Sequence, residues 1–120
     1  MFRGIRGATT VEENTAEQID IATREMLQTI IEENSLKVED IVSALFTVTL
    51  DLNAAFPAAA ARKLGWQSVP LMCCTEIPVP GSLPFCIRVL LHVNTEKTQE
   101  EVRHVYLHKA VQLRQDLQNS

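Results

Sequence analysis

The sequence predicts an α+β fold, two helices against about five strands in the order βαβαβββ, and three features carry that expectation. A capping box opens one amphipathic stripe, an alanine run behind a proline marks a second helix, and five short segments are rich in β-branched or apolar residues. In order, a strand is expected over 3–10. Thr15-Ala16-Glu17-Gln18 then reads as a capping box, in which the Thr15 hydroxyl and the Gln18 side chain satisfy free N–H groups at a helix start. Ile19, Ala22, Met26 and Ile30 recur at spacings of three and four, Leu27 and Ile31 widen the stripe, and Asn34-Ser35 supplies a stop, so this helix is expected over 16–33. A strand follows over 43–49. Pro57 at a first-turn position, alanines 58 to 61, Arg62-Lys63 near the end and Gly65 as the stop predict a helix over 57–64. A strand over 69–74 leads into a loop marked by Pro78, Pro80, Gly81 and Pro84, and strands over 86–95 and 103–109 complete the chain.

No repeat, linker or low-complexity tract interrupts the 120 residues, so residues 1–120 are expected to form one domain. A hydrophobic content of 46% and a charged content of 22% are those of an ordinary globular protein. The net charge of −4, with acidic residues spread along the chain, leaves no basic stripe to neutralise a run of phosphates, and nucleic acid is not expected as a partner. No apolar run approaches the length of a membrane span, and Met1-Phe2-Arg3-Gly4-Ile5-Arg6 lacks the apolar core of a secretory signal. Three cysteines, two of them adjacent at 73 and 74, suit reduced thiols better than a disulfide framework, and the expected location is the cytoplasm. Cys73, Cys74, Cys86 and His92 repeat no usual zinc spacing, so no metal is expected.

Two helices can cover one face of such a sheet, and the other face has no cover within the chain. Alternation in 86–93 puts Ile87, Val89, Leu91 and Val93 on one side and Cys86, Arg88, Leu90 and His92 on the other. Gly4, Arg6 and Ala8 share a side of the first strand, and His104, Tyr106 and His108 share a side of the last. If these mixed faces coincide, Arg6, Arg88 and Tyr106 cluster. A guanidinium between Ile87 and Val89 needs an anion, and either a carboxylate of the protein or a ligand supplies one. Arg6 carries the same ambiguity, and Gly7 beside it marks either a close approach or a bulge. Glu76, just before the proline-rich loop, projects into a cleft or into solvent. Cys73 is an apolar core thiol unless a base lies within reach, and Tyr106 is core packing or a ligand contact. Together these residues describe a pocket for an anion.

The segments that carry these residues are Arg3-Gly4-Ile5-Arg6-Gly7-Ala8-Thr9-Thr10-Val11-Glu12, Asp51-Leu52 followed by Ala55-Phe56-Pro57-Ala58, Gly65-Trp66-Gln67 then Val69-Pro70, Cys86-Ile87-Arg88-Val89, and Arg103-His104-Val105-Tyr106-Leu107. Their order and spacing over nearly the whole chain resemble the small monofunctional chorismate mutases of the AroH type. That resemblance implies a mixed five-stranded sheet with helices on one face, three chains in a barrel-like homotrimer (a trimeric pseudo-α/β barrel), and active sites between neighbouring chains. It implies a cofactor-independent pericyclic rearrangement of chorismate to prephenate, a step of aromatic amino-acid synthesis. Carried over by position, Arg88 meets the ether oxygen and a carboxylate of chorismate, Arg6 a carboxylate, Glu76 and Cys73 the ring hydroxyl, and Tyr106 the side-chain carboxylate. Phe56, Ala58, Arg62 and Leu113 match positions that line or close the site, and Arg114 covers its entrance. Two departures stand out: Ala59 replaces a lysine common in the second helix, and Met72 replaces a pocket threonine. Two other classes are open to the same residues, a non-catalytic trimeric module for a small carboxylate and an imine or enamine deaminase of the Rid type, and the Arg3 to Glu12 match speaks against the latter.

Overall fold

The computed structural model of the protein describes residues 1–113. Five strands form one mixed sheet: β1 (Phe2–Thr10), β2 (Ile41–Val48), β3 (Leu71–Thr75), β4 (Cys86–Asn94) and β5 (Val105–Tyr106), in the spatial order β3-β2-β4-β1-β5. Strand β4 is central and antiparallel to both β1 and β2, while β3 and β5 add to the two edges in parallel. Helices α1 (Ala16–Asn34) and α2 (Pro57–Lys63) both lie on one face. The α+β fold with a mixed five-stranded sheet is therefore as the sequence predicts. No helix among the described residues is long and apolar enough to cross a membrane.

Helix α1 begins at the expected cap, where Gln18 N–H donates to the Thr15 hydroxyl at 3.1 Å. The reciprocal half differs, since the Gln18 carbonyl oxygen accepts from the N–H groups of Glu12 and Glu13, tying the end of β1 to the helix. The helix ends at Ser35, in the left-handed region at φ 52°, with Leu36 N–H closing back on the Ile31 carbonyl at 3.0 Å. Its apolar stripe of Ile19, Met26, Leu27 and Ile30 packs on Ile5, Phe46, Ile87, Val89 and Leu91 of the sheet in one continuous core. Gly7 belongs to this contact. A Cβ there would lie 2.6 Å from Ile30 Cδ1 and 3.0 Å from Val89 Cγ1, so its missing side chain makes room for α1. No bulge occurs at Gly7, because β1 pairs with β4 without interruption; the irregular register falls between Ile41 and Ser43.

The last strand is shorter than the expected 103–109. The chain turns out of the sheet at His108, whose φ of 52° opens a 3₁₀ turn, His108–Ala110, that buries Ala110. His108 thus leaves the face it was expected to share with His104 and Tyr106, and its Nε2 lies 2.8 Å from Glu25 Oε1 on α1. Strand β3 likewise starts later than residue 69, at Leu71, because Pro70 has no N–H to give; its carbonyl accepts from Ala44.

Candidate functional site

Cross-strand register decides which side chains meet. Thr47 and Ala8 lie opposite Arg88, Leu45 and Arg6 lie opposite Leu90, and Tyr106 lies opposite Ala8, so all of these project from the face away from the helices. With Glu76 and Leu113 they border a cavity of about 410 Å³. Arg6, Arg88 and Tyr106 do cluster there.

Glu76 follows β3, and its N–H donates to the Val48 carbonyl at 2.8 Å, which swings the carboxylate over β2. There it accepts a short hydrogen bond from the Thr47 hydroxyl, and Arg88 Nε stands 3.9 Å from its Oε1. At that distance charge attracts but no hydrogen bond forms. The Arg88 side chain is 44% exposed and that of Glu76 25%, so the pair sits at the cavity wall rather than in the core. Arg88 therefore presents its guanidinium to the cavity, between the Glu76 carboxylate and the Cys86 thiol. The Tyr106 hydroxyl is buried with no hydrogen-bond partner among the described residues, although buried hydroxyls are nearly always satisfied. Arg6 is exposed, and its N–H donates to Nδ1 of His104 at 2.9 Å.

Cys86, at the start of β4, is buried, and burial pushes its thiol up against the opposing pull of Arg88. It stays protonated and is no nucleophile. The loop before it is fixed by Asp51, whose carboxylate accepts from Phe85 N–H at 3.0 and 3.2 Å and holds Phe85 at φ 51°. That clamp delivers β4, and Arg88 with it, in register beside β1.

Of the residues singled out in the sequence, Arg6, Glu76, Arg88, Tyr106 and Leu113 border the one cavity. The others stand elsewhere within a single chain. Cys73 lies opposite Phe46, on the helix-covered face, and packs against the core. Met72, opposite Leu45, is on the open face at the β3 edge and 63% exposed; Phe56, at the start of α2, is 73% exposed. Ala58 is buried in α2 and Arg62 exposed on its last turn. Arg114 lies outside the described residues. Thr47 and the apolar wall of Leu45 and Leu90 were missed. The alternation Ser43, Leu45, Thr47 against Ala44, Phe46, Val48 carried a signal for them, since only the second set is wholly apolar.

The sequence matches the profile of the family described as chorismate mutase type I over residues 2–117. It is 54% identical over 121 residues to chorismate mutase AroH of Thermus thermophilus, covering 100% of this chain and 99% of that relative. It is also 54% identical over 118 residues to chorismate mutase AroH of Bacillus subtilis, covering 98% of this chain and 93% of the relative. Among solved structures, a chorismate mutase from Clostridium thermocellum matches with a TM-score of 0.89 at 56% identity, covering 90% of this chain and 96% of that one.

Proposed function

The chain belongs to the chorismate mutase type I family and is a chorismate mutase, an isomerase that turns chorismate into prephenate for aromatic amino-acid synthesis; from that premise we propose that the open face of the sheet is its active site. The observation that carries this reading is Arg88, half-exposed on the central strand, facing a cavity that Arg6 and Tyr106 also border.

The reaction is pericyclic: a C–O bond breaks as a C–C bond forms within one molecule. The protein needs neither nucleophile nor proton transfer. It must hold the compact conformer and stabilise negative charge on the ether oxygen as its bond stretches. Arg88 serves the ether oxygen and a neighbouring carboxylate, Arg6 and Tyr106 take carboxylate, and Glu76, steadied by Thr47, holds the ring hydroxyl. Two cations against one carboxylate suit a substrate with two carboxylates.

The assembly we propose is a homotrimer whose sites are completed by a neighbouring chain. Support comes from the sheet face that the chain leaves open and from two large apolar residues it leaves exposed, Phe56 at the start of α2 and Met72 on the edge strand β3, with Arg62 exposed on the last turn of α2. These residues and Ala58 approach a partner's Arg6, Tyr106 and Leu113, and Cys73 enters through its backbone, since its side chain faces the core. The enzyme works in the cytoplasm, a location supported by three free cysteines.

The test is the loss of chorismate absorbance with purified protein, prephenate identified as product, beside Arg88→Ala. The expected loss is roughly a hundred to a thousandfold in kcat, the scale of removing one oxyanion-hole donor, with the far-UV circular dichroism unchanged. Retained turnover in that variant removes Arg88 from its role.

A further inference from the structure

Strand β5 is held to β1 by little backbone. Pairing covers only Gly7 with Val105 and Ala8 with Tyr106, and Leu107 N–H then donates to the Ala8 carbonyl at 2.9 Å. Upstream of that short ladder, side chains replace strand carbonyls and amides. Gln99 brackets Gly4, accepting from its N–H at 3.0 Å and donating to its carbonyl at 2.6 Å. Buried Asn34, at the end of α1, accepts from Arg103 N–H at 2.7 Å and donates to the Arg103 carbonyl at 3.0 Å. Between them, the Arg6 N–H finds Nδ1 of His104 at 2.9 Å. Of these three clamps only the imidazole titrates near neutral pH.

We propose that His104 is a positioning residue: its neutral imidazole, accepting the Arg6 N–H, fixes the β1–β5 edge from which Arg6 and Tyr106 reach substrate carboxylate, and its protonation releases that edge. The inference rests on the reading of Arg6 given above. An Nδ1 that accepts must carry its proton on Nε2, so a second proton sets N–H against N–H and removes the bond. It also sets a new cation beside Arg6. Burial, and next the Arg6 charge, hold the His104 imidazole below the usual histidine range. Arg6 of β1 is the charged group that faces it; Arg103, adjoining it, turns to Glu33 of α1 at 3.5 Å, and Lys97 turns to the Asn34 carbonyl at 2.8 Å. No carboxylate therefore offsets the added charge among these neighbours.

The experiment measures kcat and KM for chorismate against pH with the wild type, His104→Ala, His104→Asn, His104→Gln and Arg6→Ala. The Asn oxygen reaches the place of Nδ1, whereas the longer Gln places its amide near Nε2. Loss of one such hydrogen bond in His104→Ala is expected to raise KM about tenfold at neutral pH, with a smaller change in kcat. His104→Asn is expected to restore KM, and His104→Gln to fail. The wild type should lose affinity as pH falls below the ordinary histidine value of 6.5, and His104→Asn should lack that acid limb. Wild-type KM in His104→Ala at every pH, or an unaltered acid limb in His104→Asn, overturns the inference while Arg6→Ala remains impaired. An Arg6→Ala enzyme with unchanged KM overturns the reading of Arg6 itself, and the role of His104 falls with it.

Discussion

On the side of the sheet that carries the helices, Ile5, Phe46, Ile87 and Leu91 are closed to solvent and packed on α1, whereas on the other side Arg6, Thr47, Arg88 and Tyr106 border a cavity of about 410 Å³. The strands are the same; only the parity of the residue differs. On the first side every large side chain has its neighbours within the chain, and packing explains the residue choice. On the second, a half-exposed guanidinium faces a cavity, a residue choice that packing within the chain does not explain. The contrast teaches that a residue next in sequence can answer to a wholly different selection: Ile87 and Val89 hold the fold, and Arg88 between them, facing the cavity, is the residue proposed above to act on substrate.

That division makes stability and activity separable, and substitutions can break the separation. Phe46→Ala on the helix side should cost about 3–5 kcal/mol of stability, read as a fallen midpoint in urea, with activity lost only as the protein unfolds. Arg88→Ala on the open side should raise the reaction barrier by roughly 2.7–4 kcal/mol while the unfolding free energy from urea titration changes by no more than about 0.5 kcal/mol. A large stability loss there would mean that Arg88 is structural and the two faces are not independent. Gly7→Ala probes the boundary, since its Cβ meets Ile30 and Val89 on one side while Arg6 projects from the other. It should cost about 1–3 kcal/mol by overpacking and weaken chorismate binding through the displaced strand. Tyr106→Phe gives the smallest effect: removing an unsatisfied buried hydroxyl should leave stability within about 0.5 kcal/mol, yet raise KM severalfold in steady-state assays.

A pH titration of stability sharpens the same contrast. The His104 imidazole is held low in the folded protein, so the unfolded chain binds more protons in the window below the ordinary value of 6.5. The contribution of this group is present above that value and is lost as pH falls through its lower folded value. The decline should be absent from His104→Asn in urea titrations across that window.

Much of this was legible in the sequence because period alone encodes it. The capping box at Thr15, the stripe from Ile19 to Ile30 and the alternation around Arg88 each depend on a few adjacent residues. Strand β5 was drawn too long for the opposite reason: a two-residue strand has no period, and His104, Asn34 and Gln99 hold it by side-chain hydrogen bonds that span the chain. Thr47 escaped notice because threonine is ordinary in any strand, and only its register opposite Arg88 gives it a role. Gly7 read as a close approach, by a ligand or another stretch of backbone, or as a bulge; the approach is the one that occurs, and α1 makes it from the helix-covered face. The family resemblance put Phe56, Arg62 and Met72 among the expected site residues, which no local pattern could do, since Met72 is on β3, at the far edge of the sheet from β5, and Phe56 and Arg62 are on α2, outside the sheet.

The open face, in the assembly proposed above, works when another copy of the chain completes it. This is tested most directly by mixing two impaired variants, Arg88→Ala and Arg62→Ala, through joint unfolding and refolding, and assaying chorismate conversion against each variant refolded alone. The mixture is expected to regain turnover, because some sites then pair an intact Arg88 with an intact Arg62 of a neighbour. A mixture no more active than its parents, both of them folded and assembled, would contradict a site shared between chains.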